Sequence, residues 1–256
     1  MKLVLIGAGN VANQLGIAFE KSGHTVKQVY SRTQASAKSL AKKLDCPFTT
    51  SPNEIIPKAD LYLIALRDEA IGKFLKTFRQ KNAFVVHTSG SVGLDVFAGY
   101  KNYGVIYPVQ TFTLHRKIDA KKIPFCIEAN NTDSLKKIHR FIKPASKHIH
   151  EINSTQRLII NLSAVFANNF ANHMFSIAEK LLTQNKMEFE ILHPIIRETF
   201  TKIEDSSPVD VQTGPARRGD QTVLEKHLRL LKDHPLYSDI YRQVSKSIGE
   251  MNGPVL

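Results

Sequence analysis

The fold is decided by one stretch near the amino terminus, Lys2-Leu3-Val4-Leu5-Ile6-Gly7-Ala8-Gly9-Asn10-Val11-Ala12. Its first five residues are an apolar run typical of a buried strand, and a G-x-G-x-x-A turn follows directly. An amphipathic segment with helical spacing comes next, and residues 25–30 form a second apolar run. Strand, glycine turn, helix and strand in this order predict a dinucleotide-binding unit.

Each small residue of the turn has a physical task. Gly7 permits the tight turn, and Gly9 lacks a Cβ, so a pyrophosphate can approach the backbone. The helix start then offers unpaired N–H groups and partial positive charge. The residues expected at the pyrophosphate are Gly7, Ala8, Gly9, Asn10, Val11 and Ala12.

The end of the second strand indicates which dinucleotide is bound. NAD-binding proteins usually place Asp or Glu there, but this chain has Ser31, Arg32 and Thr33 and no acid. An arginine can pair with a 2′-phosphate, and hydroxyl groups can donate hydrogen bonds to it. The pattern therefore favours NADP, although a Rossmann-like turn that binds another ligand, or none, stays an alternative.

Composition narrows the class of protein. The chain has 256 residues, 42% of them hydrophobic and 23% charged, as in a globular protein of one large or two ordinary domains. Cys46 and Cys126 form neither a disulfide framework nor a metal site, and His148 and His150 have no evident third ligand, so we expect no metal. Without a signal peptide or an apolar run of spanning length, we expect a cytoplasmic protein that does not enter membranes.

The net charge of +12 suits an anionic ligand. It is weak support for nucleic-acid binding, because the lysines are scattered and the chain has no Trp for base stacking. We therefore expect a small-molecule substrate and no nucleic-acid partner.

Strands and helices alternate over residues 1–152, which predicts an α/β domain with a doubly wound parallel sheet. From Ser154 onward strand signals stop, so residues 153–256 are expected to form an all-α domain. Its first helix, through Leu182, carries apolar residues at helical spacing, and we expect it to be buried on more than one side.

Several strands end in residues that would line the cofactor edge of the sheet. We expect Leu66, Arg67 and Ser89 along the path from adenosine to nicotinamide. His87, Thr88 and Ser89 could orient the nicotinamide or the substrate, or they could be a polar strand end that caps a helix.

Four residues could hydrogen-bond a carbonyl or hydroxyl substrate: Gln110, Thr111, Asn161 and Asn169. An amide can polarise a carbonyl but cannot act as a general base. The asparagines could instead meet another helix or a second subunit.

A glycine-bounded loop offers a possible anion site. Arg217 and Arg218 could grip a carboxylate or phosphate of the substrate, with Gly214 shaping the loop and Asp220 beside them. Alternatively the loop is structural, at a dimer seam, and Asp220 pairs with an arginine or caps the next helix.

Five stretches carry a resemblance to a known family. They are residues 7–12, His87-Thr88-Ser89-Gly90, residues 107–112, Asn161-Leu162-Ser163-Ala164-Val165-Phe166-Ala167-Asn168-Asn169-Phe170, and Thr213-Gly214-Pro215-Ala216-Arg217-Arg218-Gly219-Asp220. The chain resembles, over nearly its whole length, the Rossmann-like NADP oxidoreductases with a helical C-terminal domain of unknown function. These are relatives of pyrroline-5-carboxylate reductase and 3-hydroxyacid dehydrogenases.

The resemblance implies an NADP-binding domain followed by a helical dimerisation domain, hence a homodimer, but no particular substrate. Many of the proteins it resembles carry His where this chain has Tyr107, and often His in place of Asn161. If either His acts as an acid or base there, this chain cannot use it in that way.

We therefore expect an oxidoreductase that uses NADP (as NADPH for reduction) to transfer hydride to or from a small anionic carbonyl or hydroxy substrate. Imine reduction is a further possibility, because it needs less proton handling by the protein. The alternative from another class is a sensor or regulatory protein that binds NADP without turnover.

Overall fold

The structure, a computed structural model, describes residues 1–113, 116 and 118–252. Eight strands form one sheet in the order β3-β2-β1-β4-β5-β6-β7-β8. The strands are β1 Lys2–Ile6, β2 Thr25–Tyr30, β3 Phe48–Thr49, β4 Leu61–Ile64, β5 Phe84–His87, β6 Asn102–Pro108, β7 Phe125–Ala129 and β8 Ile149–Glu151.

Ten α-helices accompany the strands within the described residues. They are α1 Asn10–Lys21, α2 Gln34–Lys43, α3 Asp68–Thr77, α4 Thr132–Ile142, α5 Ser154–Ala164, α6 Ala171–Gln184, α7 His193–Asp205, α8 Pro215–Arg218, α9 Gln221–Leu230 and α10 Pro235–Asn252. The predicted α/β fold with a helical C-terminal part is confirmed.

Parallel pairing connects β3 through β6, as expected for strands joined by crossover helices. The sheet departs from the all-parallel expectation at β7, which runs antiparallel to β6 and parallel to β8. β6 and β7 are consecutive in the chain and antiparallel neighbours in the sheet, a pairing that does not require a crossover helix.

The register brings the ends of four neighbouring strands to one edge. Ile6 of β1 lies beside both Tyr30 of β2 and Ile64 of β4, and Ile64 lies beside His87 of β5. The direction of strand succession reverses between β1 and β4. An open parallel sheet binds its ligands in the crevice that such a reversal creates at the carboxyl edge.

Alternating residues of β1 supply two apolar cores, one on each face of the sheet. Leu3 and Leu5 pack with the buried residues of α1, α2 and α4, whereas Val4 and Ile6 pack with those of α3. A central parallel strand must be covered on both faces, which is why β1 and β4 are continuous apolar runs.

The chain divides into two compact units, Met1–Ala167 and Asn168–Leu256. Asn153 caps α5 in a reciprocal capping box with Gln156, close to the boundary predicted at residue 153. The single helix expected from Ser154 onward is interrupted by a π-helical turn at Val165–Phe170. None of the helices in the described residues is both long and apolar enough to cross a lipid bilayer.

The apolar residues of the first long helix differ from expectation. Leu158, Ile159 and Leu162 are 50%, 58% and 56% exposed in the single chain. In the described part of the chain, every large apolar side chain that is more than a third exposed lies between Leu158 and Met251. The burial expected for these residues is therefore not found in the single chain.

The β6–β7 pairing predicts a strong effect of one added methyl group. A Cβ at Gly104 would lie 2.3 Å from the Glu128 carbonyl oxygen and 2.6 Å from Ile138 Cδ1. We expect Gly104→Ala to lower the free energy of unfolding by about 1–3 kcal/mol in urea titrations, because the core cannot make room for the methyl group without strain.

Gly72→Ala on α3 is the matched control, because a Cβ there would contact only Val96 Cγ2, at 3.5 Å. It should raise the free energy of unfolding by about 1 kcal/mol through helix propensity; equal losses in the two variants would contradict the packing described.

Candidate functional site

The glycine turn is fixed between three strands. Gly7 has φ of +121°, and a Cβ there would lie 2.2 Å from the carbonyl oxygen of Ala65, just beyond β4. Its N–H donates to the carbonyl oxygen of Tyr30, at the end of β2, over 2.7 Å. Only glycine combines this backbone conformation with so close an approach.

The start of α1 fits an anionic group. Gly9 is the N-cap residue, no side chain caps the helix, and its first turn contains no acidic residue. A Cβ at Gly9 would meet nothing within 4 Å, so the space in front of the turn is open. A helix of twelve residues whose first amides lack a side-chain acceptor is a suitable partner for a dinucleotide pyrophosphate.

Asn13 supports this turn, and sequence reasoning missed it. Its side chain is 6% exposed, and Nδ2 donates to the carbonyl oxygens of Ala8 and Gly9 over 3.0 and 3.1 Å. The Lys43 ammonium donates to its Oδ1 over 3.1 Å. The sequence does contain a signal for this role. Asn13 is a polar residue on the buried face of an amphipathic helix, where an unpaired amide would reduce stability, so hydrogen-bond partners could have been expected for its side chain.

The loop after β6 is held onto α1. Asn10 Nδ2 donates to the carbonyl oxygen of Phe112 over 2.9 Å. Gln14 Nε2 donates to the carbonyl oxygens of Thr113 and Arg116 over 2.9 and 3.0 Å. These contacts bring the loop that contains Thr111 beside the glycine turn, an arrangement that spans about 100 residues of sequence.

The end of β2 leaves its polar residues accessible. Arg32 and Thr33 are exposed and Ser31 is half-buried. Thr33 is the N-cap of α2, but its side chain makes no capping hydrogen bond. Because Tyr30 lies beside Ile6, these three side chains follow the strand next to the glycine turn.

Leu66 and Arg67 follow β4 on the other side of the turn. Leu66 is partly buried against the core and its Cδ2 would lie 3.3 Å from a Cβ at Gly7. Arg67 is exposed and is the N-cap residue of α3. Leu66 therefore closes the side of the turn, and Arg67 is free to meet solvent or a ligand.

His87, the last residue of β5, lies inside the protein. His87 has no exposed surface, and its ring stacks on Phe97 with centroids 5.3 Å apart. Burial, reinforced by the charge of Arg157, lowers the pKa of His87 to about 3, so the ring is neutral. In this structure the ring has no exposed surface with which to contact a cofactor.

Ser89 also serves the local turn. Its Oγ accepts hydrogen bonds from the N–H groups of Ser91 and Val92 over 3.1 and 3.0 Å, and its own N–H donates to His87 Nδ1. Thr88, by contrast, is half-buried, and its N–H donates to the carbonyl oxygen of Ile64. His87 and Ser89 therefore make hydrogen bonds within the turn after β5, and Thr88 keeps a partly exposed side chain at the edge.

A buried ion pair lies behind the ends of β5 and β6. Arg157 of α5 is 1% exposed, and its Nη1 donates to Glu128 Oε2 of β7 over 2.9 Å. Its Nη2 donates to the carbonyl oxygen of Val92 over 2.6 Å, and the Ser154 hydroxyl donates to the same carboxylate. The pair therefore joins three separate segments of the first unit.

Asn161 meets Tyr107 one helical turn after Arg157. The Tyr107 hydroxyl donates to Asn161 Oδ1 over 3.1 Å. A Cβ at Gly90 would lie 2.8 Å from that oxygen and 2.9 Å from Tyr107 Cε2, so Gly90 leaves the room that the pair occupies. Gln110 lies further along the chain, exposed, with its Oε1 accepting from the N–H of Thr111.

The remaining candidates belong to the second unit. Asn169 is exposed within the π-helical turn. Gly214 and Gly219 both have positive φ and bound α8, which carries Arg217 and Arg218. The Asp220 carboxylate accepts from the N–H of Val223 and caps α9, as the structural alternative expected.

An open groove in this unit is rich in cations. Its charged lining residues are Arg217, Arg218, Arg242, Lys246, Glu225 and Glu250. The excess of positive charge suits an anionic group. Among the residues that the structure describes, no group of three or more His, Cys, Asp or Glu side chains is arranged to hold a metal ion.

The buried ion pair predicts a stability difference. We expect Arg157→Met to lower the free energy of unfolding by about 3–5 kcal/mol, because the Glu128 carboxylate would stay buried without its cation. Arg229→Met, which removes an exposed pair with Glu225, should change it by about 1 kcal/mol or less. Chemical unfolding of both variants measures the difference, and equal losses would contradict a structural role for the buried pair.

Comparison with known proteins agrees with this geometry. A Rossmann-like domain matches residues 1–115, and a domain of unknown function, DUF2520, matches residues 123–248. No curated protein matches the chain. A Bacteroides fragilis protein named a putative NADP oxidoreductase is 40% identical with a TM-score of 0.92, and the match covers 97% of this chain and 98% of that one.

More distant structures share the fold. 1-Pyrroline-5-carboxylate reductase from Streptococcus pyogenes is 15% identical with a TM-score of 0.63, over 98% of both chains. A reductive aminase from Aspergillus terreus, in complex with NADPH4, cyclohexanone and allyl amine, is 14% identical with a TM-score of 0.74. That match covers 97% of this chain and 92% of the aminase. The chain belongs to the family that combines an N-terminal Rossmann-like domain with a C-terminal DUF2520 domain.

Proposed function

We propose that this protein is an NADP-dependent oxidoreductase that transfers hydride to or from a small anionic carbonyl or hydroxy substrate, or an imine. The observation that carries the proposal is the uncapped start of α1 at the reversal point of the sheet, with open space in front of Gly9. Bound there, NADPH would supply the hydride, and residues 7–12 would hold its pyrophosphate.

The choice of NADP over NAD is supported by the end of β2. Arg32 is exposed there, and the Thr33 hydroxyl is not used to cap α2. A 2′-phosphate would take a charge-assisted hydrogen bond from the guanidinium, while no carboxylate follows β2 to hold a free ribose hydroxyl. The name of the Bacteroides fragilis relative agrees with this choice.

The distribution of charge favours an anionic substrate. The groove at α8 gathers four cationic side chains against two acidic ones, and the whole chain carries a net charge of +12. We propose that residues 1–152 bind NADP and that residues 153–256 serve substrate binding and dimerisation. Arg217 and Arg218 would hold the substrate anion.

A second copy of the chain is the proposed cover for the exposed apolar surface. Leu158, Ile159 and Leu162 form an apolar stripe on α5, and residues of the later helices add to the exposed apolar area. An apolar surface of this extent is unusual for a monomer and typical of an interface. Homodimerisation would bury the apolar side chains of α5 for which the sequence pattern predicts burial.

We propose a cytoplasmic location for the protein from the state of its cysteines. Cys46 and Cys126 are both free thiols, as expected in a reducing compartment such as the cytoplasm.

A sensor that binds NADP without turnover is the second candidate. It is favoured by one observation, namely that the amides of Gln110 and Asn161 and the hydroxyl of Thr111 cannot serve as a general base. Calorimetry and a turnover screen distinguish the two candidates. Binding of NADPH without hydride transfer to any carbonyl or imine would support the sensor.

The cofactor preference is tested at Arg32. We expect the wild type to bind NADPH more tightly than NADH in calorimetric titrations. Arg32→Ala should weaken NADPH binding by about tenfold to a hundredfold and leave NADH binding nearly unchanged, because a hydrogen bond to a charged group contributes about 1.5–3 kcal/mol. Arg79→Ala is the matched control, because Arg79 is an exposed arginine that follows α3. Equal affinity for the two nucleotides in the wild type would refute the assignment of the 2′-phosphate to Arg32.

The dimer is tested at Leu162. Light scattering after gel filtration should give the wild type about twice the mass of the 28.8 kDa chain. We expect Leu162→Arg to give the monomer mass, because an unpaired charge would be buried in the interface. Lys38→Glu, an exposed change on α2, should keep the dimer. A wild type that elutes with the monomer mass at micromolar concentration would contradict the proposed homodimer.

A further inference from the structure

Reduction of a carbonyl group requires a proton donor. As hydride adds to the carbon, negative charge develops on the oxygen and must be neutralised by a proton. The amides of Gln110 and Asn161 cannot provide one, and the ring of His87 is buried and neutral. Water or another side chain at the carboxyl edge would therefore supply the proton if this chain reduces carbonyls.

Tyr107 lies at the same edge of the sheet. It is two residues past Val105, which pairs with His87, so it lies level with the turn that follows β5. Its ring is close to Gly90, where an added Cβ would lie 2.9 Å from Cε2. The side chain is half-buried and keeps exposed surface, unlike His87.

Asn161 fixes the direction of the phenol. The Tyr107 hydroxyl donates to Asn161 Oδ1 over 3.1 Å, and the absence of a Cβ at Gly90 makes space for both groups. An amide carries donors on its nitrogen as well as an acceptor oxygen. After the phenol has given up its proton, Asn161 can turn its Nδ2 toward the oxygen that remains.

We propose that Tyr107 is the proton donor of the reaction, oriented by Asn161, and that the substrate is a ketone or aldehyde. This inference rests on the hydride transfer proposed above. It names the class of substrate, because a carbonyl oxygen must take a proton on reduction, whereas an N-alkyl iminium carbon needs hydride alone.

Hydride transfer to carbon and proton transfer to oxygen account for every bond that changes in this reaction. The carbonyl carbon gains a C–H bond from the hydride that NADPH supplies, so the carbonyl is reduced as the nicotinamide is oxidised. The C=O π electrons move to oxygen, which forms an O–H bond as the Tyr107 O–H bond breaks. The phenolate that remains recovers a proton from water.

The electrostatics around Tyr107 fit this role. Burial raises its pKa, and Cys126, which faces it from β7, raises it further, so the phenol is protonated at neutral pH. The Arg157 cation, one turn before Asn161 on α5, lowers the pKa and would stabilise the phenolate as it forms. Glu128 stays paired with Arg157 and completes the charged groups of this cluster.

The test compares Tyr107→Phe with Tyr103→Phe. Both remove one hydroxyl from a tyrosine of β6, but Tyr103 stacks on Phe97 near the opposite end of the strand. With small 2-oxo acids as substrates and NADPH, Tyr107→Phe should lower kcat by about 10²- to 10⁴-fold. Reduction of a cyclic N-methyl iminium carboxylate and the Kd for NADPH should be nearly unchanged. Tyr103→Phe should resemble the wild type throughout.

Asn161→Leu provides a second variant that keeps the phenol. It should lower kcat for 2-oxo acids less than Tyr107→Phe does, and should leave iminium reduction nearly unchanged. A readout without turnover uses ¹³C-labelled tyrosine, with the Tyr107 signal identified by its loss in Tyr107→Phe. The phenol should titrate at lower pH in the NADP⁺ complex than in the NADPH complex, because the oxidised nicotinamide ring is positively charged.

The outcomes separate the two proposals. Equal losses of 2-oxo acid and iminium reduction in Tyr107→Phe, or full activity on 2-oxo acids, would overturn the assignment of Tyr107 while hydride transfer stands. Identical titration of Tyr107 in the two complexes would also overturn it, since the phenol would then lie far from the nicotinamide. A wild type that transfers hydride to neither substrate class would overturn the proposed function, and this inference with it.

Discussion

The close contact between Gly7 and Ala65 is the constraint on which the rest of the site depends. A backbone with φ of +121° and 2.2 Å between a hypothetical Cβ and a carbonyl oxygen admits no side chain. Because this turn is tied to β2 through Tyr30 and to β4 through Ala65, it fixes where α1 begins. The helix start, the end of β2 and the loop after β6 all take their positions from it.

Much of this architecture could be predicted from sequence because its causes are local. The apolar runs at Lys2–Ile6 and Thr25–Tyr30 became strands with the predicted bounds, and the glycine turn between them has the expected geometry. Asp220 could be predicted as a helix cap for the same reason, since capping depends on neighbours three residues away. The antiparallel β7 was not predicted, because strand direction depends on the path of the connecting chain.

The rest of the site depends on contacts between residues distant in sequence. Asn10 and Gln14 reach the loop after β6 across about 100 residues, and Arg157 reaches Glu128 across 29. No spacing rule reveals such pairs. The sequence also left the role of His87 open between a cofactor or substrate contact and a polar strand end, and the structure packs its ring against Phe97 inside the protein. The exposed stripe on α5 shows the opposite effect, because its apolar periodicity predicted burial and the residues are exposed in the single chain.

One edge of the sheet combines the open start of α1, where we propose that a dinucleotide binds, with Tyr107, the proposed proton donor. The central claim, that the amides at the start of α1 bind the pyrophosphate, is tested most directly by amide NMR during titration with NADPH. We predict saturable shifts concentrated at residues 7–12, with additional shifts at residues 31–33 that NADH does not produce. Saturable binding that leaves the amides of Gly9 and Asn10 unshifted would contradict the claim.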